Sequence, residues 1–269
     1  NWLDDVSRTH VLPDRVRVRD EAIAGVRCEW VEGPDAAPGR AYLQLHGGGY
    51  VNGSPRTHRR MAAHLALATS LPVVTPDYRL APEHPFPAGL DDALAVYRGL
   101  QARGLSGSDI VVGGDSAGGG LALSLLLALR AAGDPMPHAA ILLSPWTDLT
   151  VSSPSYETNR DLDPIITRRG LRRAAAWYAG GRDQTDPLLS PLFADLAGLP
   201  PLLVHAGSDE AMLDDSRVFA ERAAAAGVAV TYKAFPGLWH VFHASGIEIP
   251  ESRQAIDEIG AYLKTLQGE

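Results

Sequence analysis

The chain has 269 residues, 45% of them hydrophobic and 21% charged, which suits one large folded domain and excludes a disordered, collagenous or coiled-coil chain. Lys plus Arg is 24 against 32 for Asp plus Glu, a net charge of −8, which argues against a nucleic-acid partner. The single cysteine, Cys28, excludes an internal disulfide and a cysteine metal cluster.

The first residues, Asn1-Trp2-Leu3-Asp4-Asp5, lack the basic and apolar segments of a secretory signal, and no initial Met is present, as in a trimmed N-terminus. The most apolar run, Leu121–Leu129, is far too short to span a bilayer. A cytoplasmic protein without a membrane span is therefore expected.

In chain order, short apolar or alternating runs predict strands at Val16–Val18, Val26–Val31, Arg40–Leu45, Pro72–Thr75, Ile110–Gly113, Ala139–Leu143, Pro201–Ala206 and Val228–Phe235. Helical patterns fall at Thr57–Thr69, Gly89–Ala102, Ala117–Ala132, Met212–Ala226 and Glu251–Leu266. From Arg40 onward strand alternates with helix, the pattern of a parallel sheet covered on both faces. The first two strands have no helix between them and are expected to form an antiparallel edge. The fold class is thus α/β, with about eight strands in one domain over 1–269. Between Leu149 and Pro191 no strand is evident, while Thr167–Ala179 reads as a helix. An insertion there lies at the carboxyl edge of the sheet, where ligands bind in open α/β sheets, and is read as a cap.

Gly114-Asp115-Ser116-Ala117-Gly118 fits G-x-S-x-G between a strand and a helix, the setting of a strained nucleophilic serine. With 16 serines and glycine at one position in ten, about 0.16 chance matches are expected, so Ser116 is taken as a nucleophile. A phosphate loop would need Gly-Lys-Ser/Thr, and a dinucleotide fingerprint would need glycine where Leu123 stands. His46-Gly47-Gly48-Gly49-Tyr50 follows a strand, and its free amides, with that of Ala117, can point at a developing oxyanion. His46 precedes the nucleophile, whereas this class runs serine, acid, histidine, so it is read as holding the loop.

The acid and base must then lie downstream. Asp209 follows the strand Pro201–Ala206 and is placed to orient a histidine; Asp214 and Asp215, one turn into the next helix, read as solvated. His240, in the loop after Val228–Phe235, is preferred to His243 as the base. The spacing from Asp209 to His240 is one helix plus one strand, which returns both to one sheet edge. The i, i+3 histidine pair has no H-E-x-x-H pattern or carboxylate partner, so no metal is expected.

Taken together, His46–Tyr50, Asp77–Ala88, Gly114–Gly119, Asp186–Pro191, Asp209 and His240-Val241-Phe242 resemble the bacterial hormone-sensitive-lipase-like esterases, family IV of the lipolytic enzymes, with the α/β-hydrolase fold. The resemblance runs from about Arg40 to the C-terminus. It implies a triad of Ser116, Asp209 and His240, oxyanion donors at Gly48, Gly49 and Ala117, and a brace over Asp77–Ala88 with Arg79 and Glu83 in ion pairs. It also implies a serine carboxylesterase for short- to medium-chain acyl esters, a small-molecule substrate, no cofactor, and a homodimer. A lactonase or amidase with the same triad, or a non-catalytic receptor on this fold, are the alternatives. Family members carry a longer N-terminal segment that forms half of the cap; only about fifteen residues precede the first strand here, so incomplete enclosure is expected. The candidate pocket residues are Tyr50, Trp146, Trp177 and Leu238.

Overall fold

A computed structural model describes residues 12–245 and 248–266. Eight strands form one sheet: β1 (Arg17–Ile23), β2 (Val26–Glu32), β3 (Ala41–Leu45), β4 (Val73–Pro76), β5 (Ile110–Asp115), β6 (Ala139–Leu143), β7 (Leu202–Gly207) and β8 (Val230–Phe235). Their order is β1-β2-β4-β3-β5-β6-β7-β8. β1 and β2 pair antiparallel, as do β2 and β4, and every later pairing is parallel. The expected antiparallel edge is β1 with β2.

The central strands are mostly apolar, β6 entirely so, because both of their faces are covered. Successive residues alternate between two cores. Tyr42, Val73, Val111, Ile141 and Leu203 face one cluster, which Met61 and Leu65 of α1 (Pro55–Thr69) and Ile259 and Leu263 of α7 (Pro250–Leu266) complete. Leu43, Val74, Val112, Leu142 and Val204 face the other, closed by α2 (Ala88–Ala102), α3 (Ala117–Ala132) and α6 (Leu213–Ala225). A one-residue slip would exchange the two sets, so the pattern fixes register. α1 starts where Ser54 Oγ accepts from Thr57 N and Thr57 Oγ1 accepts from Ser54 N, a reciprocal cap followed by Pro55 at the first helical position.

Between β6 and β7 lie a single turn, α4 (Ser155–Thr158), and one longer helix, α5 (Arg168–Ala179), with no strand. Thr167 caps α5 by accepting from Gly170 N at 3.2 Å. Leu171, Ala174, Ala175 and Tyr178 recur at helical spacing on its buried face, while Arg169, Arg172 and Arg173 are exposed. The tract 144–201 therefore rises from the carboxyl edge of β6 and returns to β7.

The root of this excursion corrects the reading of Asp215 as a solvated residue. Asp215 is fully buried and accepts from Thr147 N, Asp148 N, Ser153 Oγ and Tyr156 OH. Burial, then the neighbouring Asp148, push its carboxyl up to about 7. Asp148 itself accepts from the amides and hydroxyls of Thr150 and Ser152. Asp214 accepts from Ser155 N at 3.0 Å and pairs with Arg217. In the Asp77–Ala88 segment, Arg79 pairs with Asp92, while Glu83 is exposed and makes no ion pair among the described residues. No helix among the described residues is long and apolar enough to cross a membrane.

Candidate active site

The sharp turn after β5 carries Ser116 at φ 54°, ψ −124°, a strained conformation for a residue with a side chain. The flanking glycines are a matter of contact rather than of flexibility: a Cβ on Gly114 would lie 2.2 Å from Gly118 O, and one on Gly118 would lie 2.0 Å from Leu45 O. Only hydrogen fits where β5, α3 and the end of β3 meet. Ser116 Oγ thus stands at the carboxyl edge of the sheet, 8% exposed.

His240 Nε2 lies 2.9 Å from Ser116 Oγ. Its Nδ1 lies 3.0 Å from Glu210 Oε2, and Glu210 is fully buried. Burial pushes the Glu210 carboxyl up, and the hydrogen bond and charge of His240 work against that. The expected contact from Asp209 is not made. Asp209 is half-buried, its carboxylate accepts from Ser208 Oγ at 2.7 Å, and its amide donates to Leu238 O at 3.0 Å. The turn that leaves β7 aims consecutive side chains in different directions, and Glu210 is the one aimed at the imidazole. The two loops are stitched together: Ser208 N donates to Phe235 O, Gly237 N to Ser208 Oγ, and Val241 N to Ser144 Oγ. Glu210 and His240 therefore sit on one braced unit.

The glycine loop after β3 turns tightly, with Gly48 at φ 119° and Gly49 at φ 64°. Asn52 N and Val51 N both donate to Gly48 O. Among the described residues the amides of Gly48, Gly49 and Ala117 have no acceptor, and that of Ala117 opens α3, where a helix leaves its first amides free. His46 is fully buried, its Nδ1 is 2.8 Å from Gly47 O, and its ring stacks on Tyr78 at 4.2 Å. Burial pushes it down to about 3, so it is neutral and serves the loop as expected.

Beside the loop lies a cavity of about 250 Å³, lined by Gly48, Gly49, Ile165, Leu171, Arg173 and Trp177 among others. Of the four candidate pocket residues, Trp177 lines it, 42% exposed, with the Arg173 guanidinium 5.0 Å from its ring centroid. The other three do not. Trp146 is fully buried and donates from Nε1 to Asp148 O. Tyr50, 2% exposed, stacks on Tyr178 of α5 at 3.7 Å and tilts against Trp146. Leu238 packs with Phe235, Phe242 and Ala255 in a small separate cluster. Large aromatic side chains next to a site are drawn into the core that supports it. Ile165 and Leu171, which the sequence did not single out, take the lining positions because the turn into α5 brings them over the glycine loop.

The rejected base, His243, is fully buried, and among the described residues neither of its ring nitrogens has a hydrogen-bond partner. Burial holds it well below the usual imidazole range. It stacks at 5.6 Å on His205 of β7, which burial pushes down to about 4. A depressed imidazole stays neutral in the fold, while the unfolded chain takes up a proton near pH 6.5. Stability from His205 is thus full above about 6.5 and is lost as pH falls toward 4. The slope is about 1.4 kcal/mol per pH unit, or on the order of 2 kcal/mol between 6.5 and 5. Asp215, raised, runs in the opposite sense: its contribution is present at low pH and lost as pH rises toward 7. His205→Phe leaves Asp215 and His46 untouched but also removes a charge that bears on His243, so urea midpoints at pH 7 and pH 5 report on His205 with its stacked neighbour. The variant should lose less stability on acidification than the parent; an equal loss would remove His205 from the acid response.

The described residues hold no group of three or more histidine, cysteine or acidic side chains placed to bind a metal. A protein-family profile described as the alpha/beta hydrolase fold matches residues 42–244. An acetyl-hydrolase of Streptomyces hygroscopicus is 44% identical over 241 residues, which span 90% of this chain and 80% of that protein. An esterase of Acinetobacter venetianus is 38% identical over 265 residues, 98% of this chain and 87% of that one. Among solved structures, an esterase from the bacterial hormone-sensitive lipase family superposes with a TM-score of 0.96 at 44% identity, covering 98% of this chain and 89% of the other. The esterase EstE5, soaked with p-nitrophenyl butyrate, superposes with a TM-score of 0.95 at 41% identity, covering 100% and 90%.

Proposed function

The chain belongs to the bacterial hormone-sensitive-lipase family of α/β-hydrolase esterases and is an ester hydrolase, and from that premise we propose that it cleaves small acyl esters through an acyl-enzyme on Ser116, with His240 as base and Glu210 as the acid that orients it. The observation that carries this reading is the unbroken chain from Ser116 Oγ through His240 to Glu210 Oε2, at 2.9 and 3.0 Å. A serine hydroxyl is a weak nucleophile until a base takes its proton. His240 Nε2 accepts that proton as Oγ attacks the ester carbonyl carbon. The carbonyl π pair moves onto oxygen, and the amides of Gly48, Gly49 and Ala117 stabilise the resulting charge. Glu210 fixes Nδ1 as the protonated nitrogen and stabilises the imidazolium. The tetrahedral species collapses, the alkoxide leaves with the proton from Nε2, and the acyl group stays on Ser116. Water, deprotonated by the same nitrogen, releases the acid by the reverse sequence.

The acetyl-hydrolase among the relatives, and a cavity of about 250 Å³ walled by Ile165, Leu171 and Trp177, support a short to medium acyl group, about four to eight carbons. Each buried methylene contributes about 0.8 kcal/mol, so kcat/KM should rise severalfold per carbon until the chain passes Trp177. Trp177→Ala should shift the optimum toward longer chains while leaving acetate turnover within about threefold. Profiles of kcat/KM from acetate to palmitate decide it; unchanged profiles would leave Trp177 as surface packing. The reading as a whole is tested with a p-nitrophenyl ester and an organophosphonate. Turnover should stop as one equivalent of phosphonate attaches, and peptide mapping should place it on Ser116. A label elsewhere would sink the assignment.

A further inference from the structure

His58, on α1, lies outside the chain of Ser116, His240 and Glu210, yet it touches the residue before the nucleophile. We propose that His58 is a positioning residue for ester cleavage, an imidazolium that clamps Asp115 and thereby sets the glycine loop; this rests on the reading of Ser116 as nucleophile.

The proton count follows from three contacts. Thr57 Oγ1 donates its only hydrogen to Ser54 O at 2.8 Å. Facing His58 Nδ1 at 2.8 Å, it can therefore only accept, so Nδ1 carries a proton. His58 Nε2 lies 3.2 Å from Asp115 Oδ2. The other oxygen of that carboxylate, Oδ1, accepts from Gln44 Nε2 at 3.1 Å. An ionised carboxylate cannot donate, so the Asp115 contact calls for a proton on Nε2 as well, whereas the Gly47 amide at 3.2 Å donates to that nitrogen only when it carries none. Asp115 is 2% exposed, and an unpaired charge there would be costly. The paired arrangement removes that cost.

The same nitrogen also faces the glycine loop. Gly47 N–H lies 3.2 Å from Nε2, and a Cβ on Gly47 would lie 2.2 Å from Asp115 Oδ2. The backbone just before Gly48 and Gly49 is therefore packed onto the pair. A protonated Nε2 donates to Asp115. A deprotonated one instead accepts from Gly47 N–H and leaves Asp115 without a counter-ion. One proton thus chooses between two sets of bonds at the root of the loop that supplies the oxyanion amides.

The groups around His58 favour the charged form. Asp115 faces it from the end of β5, and beyond Asp115 stands His240. His46 faces it from the loop after β3, ring centroids 5.4 Å apart, and is neutral. On α1 itself, Arg59 is directed away to Glu29. Burial opposes the charge on His58, but the charge and hydrogen bond of Asp115 outweigh it and hold the ring above the usual imidazole range. Burial likewise opposes the Asp115 charge, and His58 holds that carboxyl below its usual range.

Turnover should consequently fall on the alkaline side as His58 loses its proton. His58→Gln keeps a donor for Asp115 but cannot titrate. It should lower kcat roughly 10- to 100-fold with KM within about threefold, as misplacement of catalytic groups does. The alkaline limb of kcat should disappear. Nitrogen-15 spectra of the histidine-labelled parent protein should show both His58 ring nitrogens protonated at pH 7, a readout that needs no variant. A neutral His58 at pH 7, or a His58→Gln profile that keeps the parental alkaline limb, would overturn the proposal. An active Ser116→Ala would instead defeat the nucleophile while leaving the His58 proton count standing, so the two failures are distinct.

Discussion

Ser116→Ala is expected to lower kcat on an activated ester by about 10⁴–10⁶, because nucleophile, base and acid act as a unit and what remains comes from binding and the amides alone. The expected loss is large because, among the described residues, no second hydroxyl is offered to His240: Nε2 is engaged by Ser116 Oγ at 2.9 Å, and Nδ1 by Glu210. The fold should survive the change. Alanine removes one oxygen from a side chain that is already 8% exposed and keeps a Cβ at the strained φ of 54°, so neither a new cavity nor a new strain arises. KM should change little, since the cavity beside Gly48, Gly49 and Trp177 is untouched. Steady-state rates with a p-nitrophenyl ester, set beside thermal unfolding of both proteins, check the two halves together. Near-normal turnover in a folded variant would refute the assignment of Ser116.

What could be read in the sequence, and what could not, divides along a physical line. The strands β3 to β7 were legible because double burial leaves mostly apolar runs with at most one polar residue each, and β6 lies at Ala139–Leu143 as expected. Helix α3 was legible at Ala117–Ala132 for the converse reason: it is apolar on nearly all sides, yet begins at the serine and ends at Gly133 in the left-handed conformation. Ser116 and His240 were legible because one is fixed by a steric motif and the other by the end of a strand. Side-chain direction in loops was not. Asp209 and Glu210 are adjacent carboxylates, and only the turn after β7 decides which one reaches the imidazole. A signal was present in the neighbours: Glu210 precedes the apolar pair Ala211-Met212, and a carboxylate drawn into such company needs a partner. Asp215 was misread for a related reason. Its helix is amphipathic, but its donors come from Thr147, Asp148, Ser153 and Tyr156, more than fifty residues away in sequence, and no local pattern reports them. Trp146 and Leu238 missed the pocket because proximity to the site along the chain does not say which way a ring or a branched chain turns.

Glu210→Gln is expected to lower kcat by roughly 10³–10⁴, while Asp209→Asn should stay within a few-fold of the parent. The glutamine keeps the length and shape of the side chain, so packing is preserved and the change is one of charge and proton placement. A carboxylate accepts from Nδ1–H, which leaves the Nε2 lone pair facing Ser116 Oγ; an amide can present its NH₂ instead, favouring the tautomer with the proton on Nε2. That tautomer cannot accept the serine proton. The imidazolium formed during attack also loses the carboxylate charge 3.0 Å from its Nδ1, in a site where His240 is 4% exposed and Glu210 fully buried. Asp209 has no comparable leverage, since its carboxylate accepts from Ser208 Oγ and its structural tie to the histidine loop runs through its backbone amide to Leu238 O. Asparagine preserves that amide. His240→Ala should match the loss at Ser116, and His243→Ala, which touches neither Ser116 nor Glu210, should act through stability rather than through kcat at a temperature where the fold holds. Single-turnover acylation rates for the four variants, each with its unfolding midpoint, separate these outcomes. If Asp209→Asn collapsed the rate while Glu210→Gln kept it, the acid would have to be reassigned to Asp209 and the 3.0 Å contact at Nδ1 would lose its mechanistic meaning.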